Sequence, residues 1–357
     1  MVTPPDSSPT GAKTVIRHQE AFKLALSMTL FYWLALYLNW PLTEYGAFAI
    51  AIISLGTAEA SIEKGSSRVL GTTVGILIGF VLLGLFNSNP CLMLLALSVN
   101  LFMIGAVMKA SQYPYAWFMA AFLPLIVWAD TYPHFENAFY FGTFRWLETT
   151  AGVIIFSMIE WMFWPQPESE ASQVQTGTGP EPNPPASALA RLWEPRTLIE
   201  LLFPPLAFIV AFVIWYLVYL PPGSKVPMLV GVLSLVLARE SVSPPWKIWP
   251  ALVAATLFVA APMTWLIMPR LSTGAELLTL VFSYTYIAGY LGGAPKLMML
   301  FLFFAMAGIS NQQQYSFQLP IDAALLVVIV GVIISVVYSL FEPFIPKRQI
   351  ALPGNEQ

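Results

Sequence analysis

Apolar residues run along this chain in long blocks, with short polar breaks between them. A bilayer-spanning helix needs about 20 mostly apolar residues. Blocks of that kind fall near 21–39, 45–62, 69–86, 90–108, 114–130 and 140–164. A second set follows near 198–220, 226–240, 247–268, 275–292, 295–310 and 321–342. Between the sets, Pro165 to Pro195 is rich in Pro, Ser, Gly and Glu, too polar to pack a core, and reads as a solvated linker. The pattern predicts an all-α polytopic membrane protein of about 12 transmembrane helices in two similar six-helix halves. The expected divisions are an N-terminal tail (1–20), a first half (21–165), a linker (166–196), a second half (197–345) and a C-terminal tail (346–357).

Positive charges orient these blocks, because cytoplasmic loops retain Lys and Arg. With the N-terminus inside, all but three of the 16 Lys and Arg fall in inside segments, and Arg145, Lys225 and Arg270 are left outside. Both termini are then cytoplasmic in a multi-pass plasma-membrane protein. An even helix count per half gives the halves the same orientation, a parallel repeat about an axis along the membrane normal. Both halves carry charges at the inner end of their second helix: Glu59, Glu63 and Lys64 in one, Arg239 and Glu240 in the other. Both close on a glycine-containing helix before a proline, Gly152 to Pro165 and Gly331 to Pro343.

Composition excludes a soluble fold. Hydrophobic residues make up 57% of the chain, charged residues 10%, and mean hydropathy is +0.71. Soluble domains carry about 25% charged residues. The net charge of −3 and the lack of a basic run argue against nucleic acid as a partner. Cys91 is the sole cysteine and His18 and His134 the sole histidines, so neither an intramolecular disulfide nor a Cys- or His-based metal centre is expected, and no cofactor is. The first apolar block is long and reads as a retained helix, not a cleaved signal. A P-loop, H-E-x-x-H and G-x-S-x-G are all missing, which argues against ATP hydrolysis and against the commonest hydrolytic sites.

Several constellations could carry chemistry. Gly71, Gly75 and Gly79 recur at intervals of four, with Thr72 beside them, a face on which another helix can approach closely. Arg68 precedes that face. It is either a headgroup anchor or a cationic site for an anion. Arg145 and Glu148 are helical neighbours, either a self-neutralising pair or part of a pathway. Glu59 and Glu63 share a helix face and are candidates for proton coupling, with Lys64 and Arg68 near enough to neutralise them. Glu160 reads as interfacial. Asp130, His134 and Glu136 flank an outer loop, most simply a solvated one. Tyr286 and Tyr290 share a face that could stack an aromatic acid or could simply pack and anchor. The polar loop from Asn311 to Ser316 is an outer connector or a contact for a partner.

The stretch from His18 to Phe86 resembles the fusaric-acid-resistance and aromatic-acid-exporter family. The features shared are the basic lead-in to Ala21-Phe-Lys-Leu-Ala-Leu, the turn at Pro41 to Tyr45, the charged junction Glu59 to Lys64, and Arg68-Val-Leu-Gly71-Thr72-Thr-Val-Gly75. Arg145-Trp-Leu-Glu148-Thr-Thr-Ala-Gly152, running to Trp164-Pro165, also resembles that family. The large soluble domain of many members has no counterpart here. Lys247-Ile-Trp-Pro250-Ala-Leu-Val-Ala254 stands where a second copy of the Arg-x-x-Gly-Thr pattern would fall. The resemblance implies a bacterial inner membrane, a small organic (aromatic carboxylic) anion as substrate and a periplasmic adaptor as partner. Together with the charge pairs and the two-half pattern it predicts a proton-driven exporter rather than an enzyme. Candidate substrate-binding residues are Arg68, Arg145, Glu148, Tyr286 and Tyr290. Two other readings compete with it, a non-transporting scaffold subunit and a membrane-embedded lipid-modifying enzyme. The glycine faces leave a homo-oligomer open.

Overall fold

The computed structural model describes residues 9–55, 58–163, 195–240, 248–311 and 318–344. Among them every regular element is helical, so the all-α expectation holds. The N-terminal part of the chain forms α1 (Pro9–Tyr37), α2 (Glu44–Ile53), α3 (Ala58–Phe86), α4 (Pro90–Ala110), α5 (Pro114–Thr131) and α6 (Ala138–Met162). The remainder forms α7 (Pro195–Val218), α8 (Lys225–Glu240), α9 (Ile248–Ala255), α10 (Gly274–Leu291), α11 (Gly293–Ala307) and α12 (Gln318–Phe341). Beyond α9 the chain continues in wide π turns, Thr256–Ala260 and Met263–Ile267, on either side of Pro262, which has no amide proton to donate.

Local chemistry sets several helix ends. Asn89 accepts from the amides of Cys91 and Leu92 and, with Pro90 next, opens α4. Thr273 and Glu276 form a reciprocal capping box at the start of α10. Five stretches among the described residues are long and apolar enough to cross a membrane: Glu63–Phe86, Pro90–Ala110, Thr197–Val218, Trp249–Arg270 and Gln318–Phe344. Trp161, Tyr219 and Phe258 lie largely exposed on the outside of the bundle, a surface that lipid solvates and water does not.

One expected block is wrong in its bounds. The apolar run 45–62 is not a single helix: α2 stops at Ile53, and α3 starts at Ala58, well before residue 69. The half-length α2 has a partner from the other part of the chain. Lys296, one of the charges placed on the inside above, is buried at 6% exposure and donates from Nζ to the Ser54 carbonyl at the C-terminal cap of α2, 2.9 Å away. A cation at a helix C-terminus satisfies an orphan carbonyl and favours the negative end of the helix dipole.

The α3–α5 pairing is the tightest use of glycine. A Cβ on Gly75 would stand 2.8 Å from Leu123 Cβ and 3.0 Å from Ala120 Cα. One on Gly79 would stand 3.4 Å from Pro124 Cα, and one on Gly71 would collide with the Ala116 carbonyl. The three glycines therefore form the expected packing face. The interhelical hydrogen bond nearby involves Thr73, which accepts from Trp146 Nε1 at 2.8 Å; Thr72 is buried.

The two parts of the chain pack on each other reciprocally. α1 lies on α10 and α7 on α4, while α2 lies on α11 and α8 on α5. The hydrogen bonds repeat the pattern. Thr43, just before α2, donates to the Ile309 carbonyl beyond α11 at 2.5 Å. Ser224, just before α8, donates to the Ala129 carbonyl of α5 at 2.6 Å. The turns after α1 and α7 each contain a non-glycine residue of positive φ, Asn39 at 56° and Tyr219 at 52°. Thr43→Ala and Ser224→Ala should each destabilise the fold by about 1 kcal/mol, the usual net worth of one buried hydrogen bond. Thermal unfolding in detergent checks this, and a cost at one site alone would break the equivalence.

Candidate functional site

Arg145, Glu148, Thr149 and Gly152 fall on one face of α6, and all four are buried. Gly152 brings this face against α2: a Cβ there would sit 2.6 Å from the Gly46 carbonyl. Such backbone contact sets Tyr45 and the α1–α2 turn directly over the two charges. The Arg145 guanidinium lies on the Tyr45 ring, its Cζ 3.6 Å from the ring centroid. Phe48 and Phe141 meet that ring edge-on, and its hydroxyl donates to Asp130 Oδ2 at 2.8 Å. Glu148 Oε1 accepts from the Leu42 amide at 2.9 Å. Glu44, the first residue of α2, interacts electrostatically with Asp130, Arg145 and Lys225.

The distinguishing feature is what these groups leave unmatched. Arg145 is 5% exposed, and its Nε and Nη1 have no hydrogen-bond partner among the described residues. Glu148 is 0% exposed, and its Oε2 has none either. The two side chains do not form a direct ion pair in this arrangement, although they interact electrostatically. A buried polar group without a partner costs about 1–3 kcal/mol, and more when charged. Unsatisfied guanidinium donors in a low-dielectric bundle suit an anion, and a carboxylate matches their fork with two parallel bonds.

Arg68 joins the same region. It lies ten residues into α3, not at the start of its helix, because α3 begins at Ala58. It is 5% exposed, which rules out a headgroup anchor in this arrangement. Its Nη1 donates to the Tyr115 hydroxyl of α5 at 2.8 Å, its Nε is unpartnered, and it lies within electrostatic range of Arg145.

The other candidates lie elsewhere. Tyr286 and Tyr290 hold His18 of α1: its Nδ1 and the Tyr286 hydroxyl are hydrogen-bonded at 2.6 Å, and its ring centroid is 4.9 Å from that of Tyr290. The structure does not bring this pair to the arginines. Glu63 is exposed, and the side chain of Glu59 lies outside the described residues. Glu160 is bridged to Lys23 at 3.5 Å. His134 and Glu136 pair with each other at 3.2 Å on the surface, whereas Asp130 turns inward to Tyr45. Asn311 donates to the Leu36 carbonyl at 2.6 Å, and the rest of its loop, 312–316, lies outside the described residues, as does most of the linker.

Sequence reasoning missed Tyr45, Glu44 and Lys296. The first two were absorbed into a turn, since nothing in a one-dimensional pattern says that α6 will pass close enough to place them over its charges. The available signal was the pair of glycines, Gly46 and Gly152, at which the two backbones meet.

Residues 19–178 match the fusaric acid resistance protein family, which the sequence resembles. The match runs from α1 past the end of α6 and so contains Arg68, Arg145, Glu148 and Tyr45. That family is one of membrane transport and efflux, not of enzymes. No curated protein and no solved structure matches the chain.

Proposed function

We propose that this chain exports small organic acids across a bacterial inner membrane, holding the substrate carboxylate on Arg145 with Arg68 close by. The observation that carries this reading is the buried Arg145 guanidinium, with Nε and Nη1 unmatched, on a helix packed against α1, α2 and α3. The same reading has twelve spans with both termini inside, on the charge distribution, and two similar halves, supported by the reciprocal packing of α1 on α10 and α7 on α4. Aromatic carboxylates are the favoured class, on the family resemblance. A periplasmic adaptor and assembly of several copies belong to the same reading.

The energised membrane supplies the drive. For an anion leaving a compartment that is negative inside, the electrical part of the proton gradient alone is worth about 2.3 kcal/mol per 100 mV. In this reading Glu59 and Glu63 exchange protons at the start of α3, where Glu63 is exposed.

The test is efflux of radiolabelled benzoate, salicylate, acetate and succinate from proteoliposomes. The purified protein is used with and without an imposed gradient. Gradient-dependent efflux of the aromatic acids is the expected result. A folded protein that moves none of the four removes the exporter reading and leaves the scaffold subunit in its place.

A further inference from the structure

Resting on the exporter reading, we propose that Glu148 is a built-in substitute for the substrate: it pairs with Arg145 when the carrier is empty, so that the empty carrier can return. An exporter must pass through a substrate-free state in every net cycle. In that state a buried guanidinium without a counter-ion is costly, because the interior does not solvate its charge.

The atoms that could relieve this are in place. Glu148 is fully buried with Oε2 unpartnered, and Arg145 is buried with Nε and Nη1 unpartnered. They lie three residues apart on one helix face, where side chains meet by rotation alone. In the present arrangement they are separate, with the guanidinium resting on Tyr45 and Oε1 of Glu148 held by the Leu42 amide. This is the receptive arrangement. When the substrate leaves, the guanidinium turns from the ring to Glu148, and no bond is made or broken other than hydrogen bonds.

The neighbouring groups do not offer the same exchange. Asp130 on α5 is engaged by Tyr45, and Glu44 begins α2, off the Arg145 helix. Tyr32 of α1 also faces Glu148, while Arg68 of α3 adds a second positive charge near Arg145, and Lys225 of α8 faces Glu44. Glu148 is the only acid among the buried residues of α6, and Glu160, further along the helix, is bridged to Lys23.

The experiment compares two rates in proteoliposomes loaded with radiolabelled benzoate. One is net efflux into benzoate-free buffer. The other is exchange against external benzoate, in which the carrier always returns loaded. Glu148→Gln keeps an oxygen for the Leu42 amide and removes the charge. The ratio of net efflux to exchange is expected to fall at least about tenfold, since only the empty return loses its counter-ion. Glu148→Asp is expected to restore part of that ratio. An unchanged ratio in Glu148→Gln, with both rates intact or both lowered alike, overturns the inference while benzoate transport by the unaltered protein keeps the exporter reading. An unaltered protein that moves no benzoate overturns both.

Discussion

Arg145→Ala is expected to lower carboxylate efflux by about thirtyfold or more, because truncating one member of a buried, hydrogen-bonded charge pair costs about 2–5 kcal/mol. The pair in question is Arg145 with the substrate carboxylate, and the two unmatched guanidinium nitrogens are the groups that would be lost. Arg145→Lys separates charge from shape. Lysine keeps the charge but has neither the planar fork nor the flat face that lies on Tyr45, so an intermediate rate is expected. Arg68→Ala should cost less, since one of its nitrogens is already committed to Tyr115. Initial efflux rates at equal amounts of folded protein measure all three. Normal rates in both alanine variants would remove the anion site from this part of the bundle.

The second large effect is on folding. Gly75→Leu places an isobutyl group where even a Cβ would be 2.8 Å from Leu123 Cβ and 3.0 Å from Ala120 Cα. Adding methylenes to a close-packed site usually costs about 1–3 kcal/mol. Here one contact is backbone, which cannot rotate away, so the cost should exceed that range and little folded protein should be recovered. Gly84 provides the control on the same helix, because nothing lies within 4 Å of a Cβ there. Gly84→Leu should stay within about 0.5 kcal/mol of the unaltered protein, as exposed substitutions do. Yield and monodispersity after detergent extraction report both. Equal behaviour of the two variants would mean that α3 and α5 are not locked through their backbones. The same interface carries the Arg68–Tyr115 hydrogen bond, so Gly75→Ala should reduce efflux even where it permits folding.

Hydropathy is a one-dimensional record of where apolar helices lie, and it served well for α4, α5 and α6. It misread the region 45–62 because mean hydropathy over an apolar run does not register where a helix stops inside it. Ser54 and Leu55 leave the helical geometry there, and Lys296 arrives from some 240 residues away to close the end. No local pattern announces such a contact. Arg68 was misplaced for the same reason: its depth depends on where α3 begins. The Arg145 and Glu148 spacing was legible as helical adjacency, but adjacency does not say whether two side chains pair. Here the guanidinium lies on Tyr45, and Glu148 is held by the Leu42 amide. Tyr286 and Tyr290 were legible as one face, and the helix opposite, with His18 on it, was not.

The reciprocal seam bears on how many solutes one chain can carry. Its two hydrogen bonds fall at corresponding places, Thr43 just before α2 and Ser224 just before α8. Chemically they differ. Seven and four residues before Gly152, α6 has Arg145 and Glu148; at the same distances before Gly331, α12 has Ala324 and Val327. The closing helix of the first part is charged at these positions and that of the second is apolar. On the proposed reading the stoichiometry is therefore a single anion per chain per turnover.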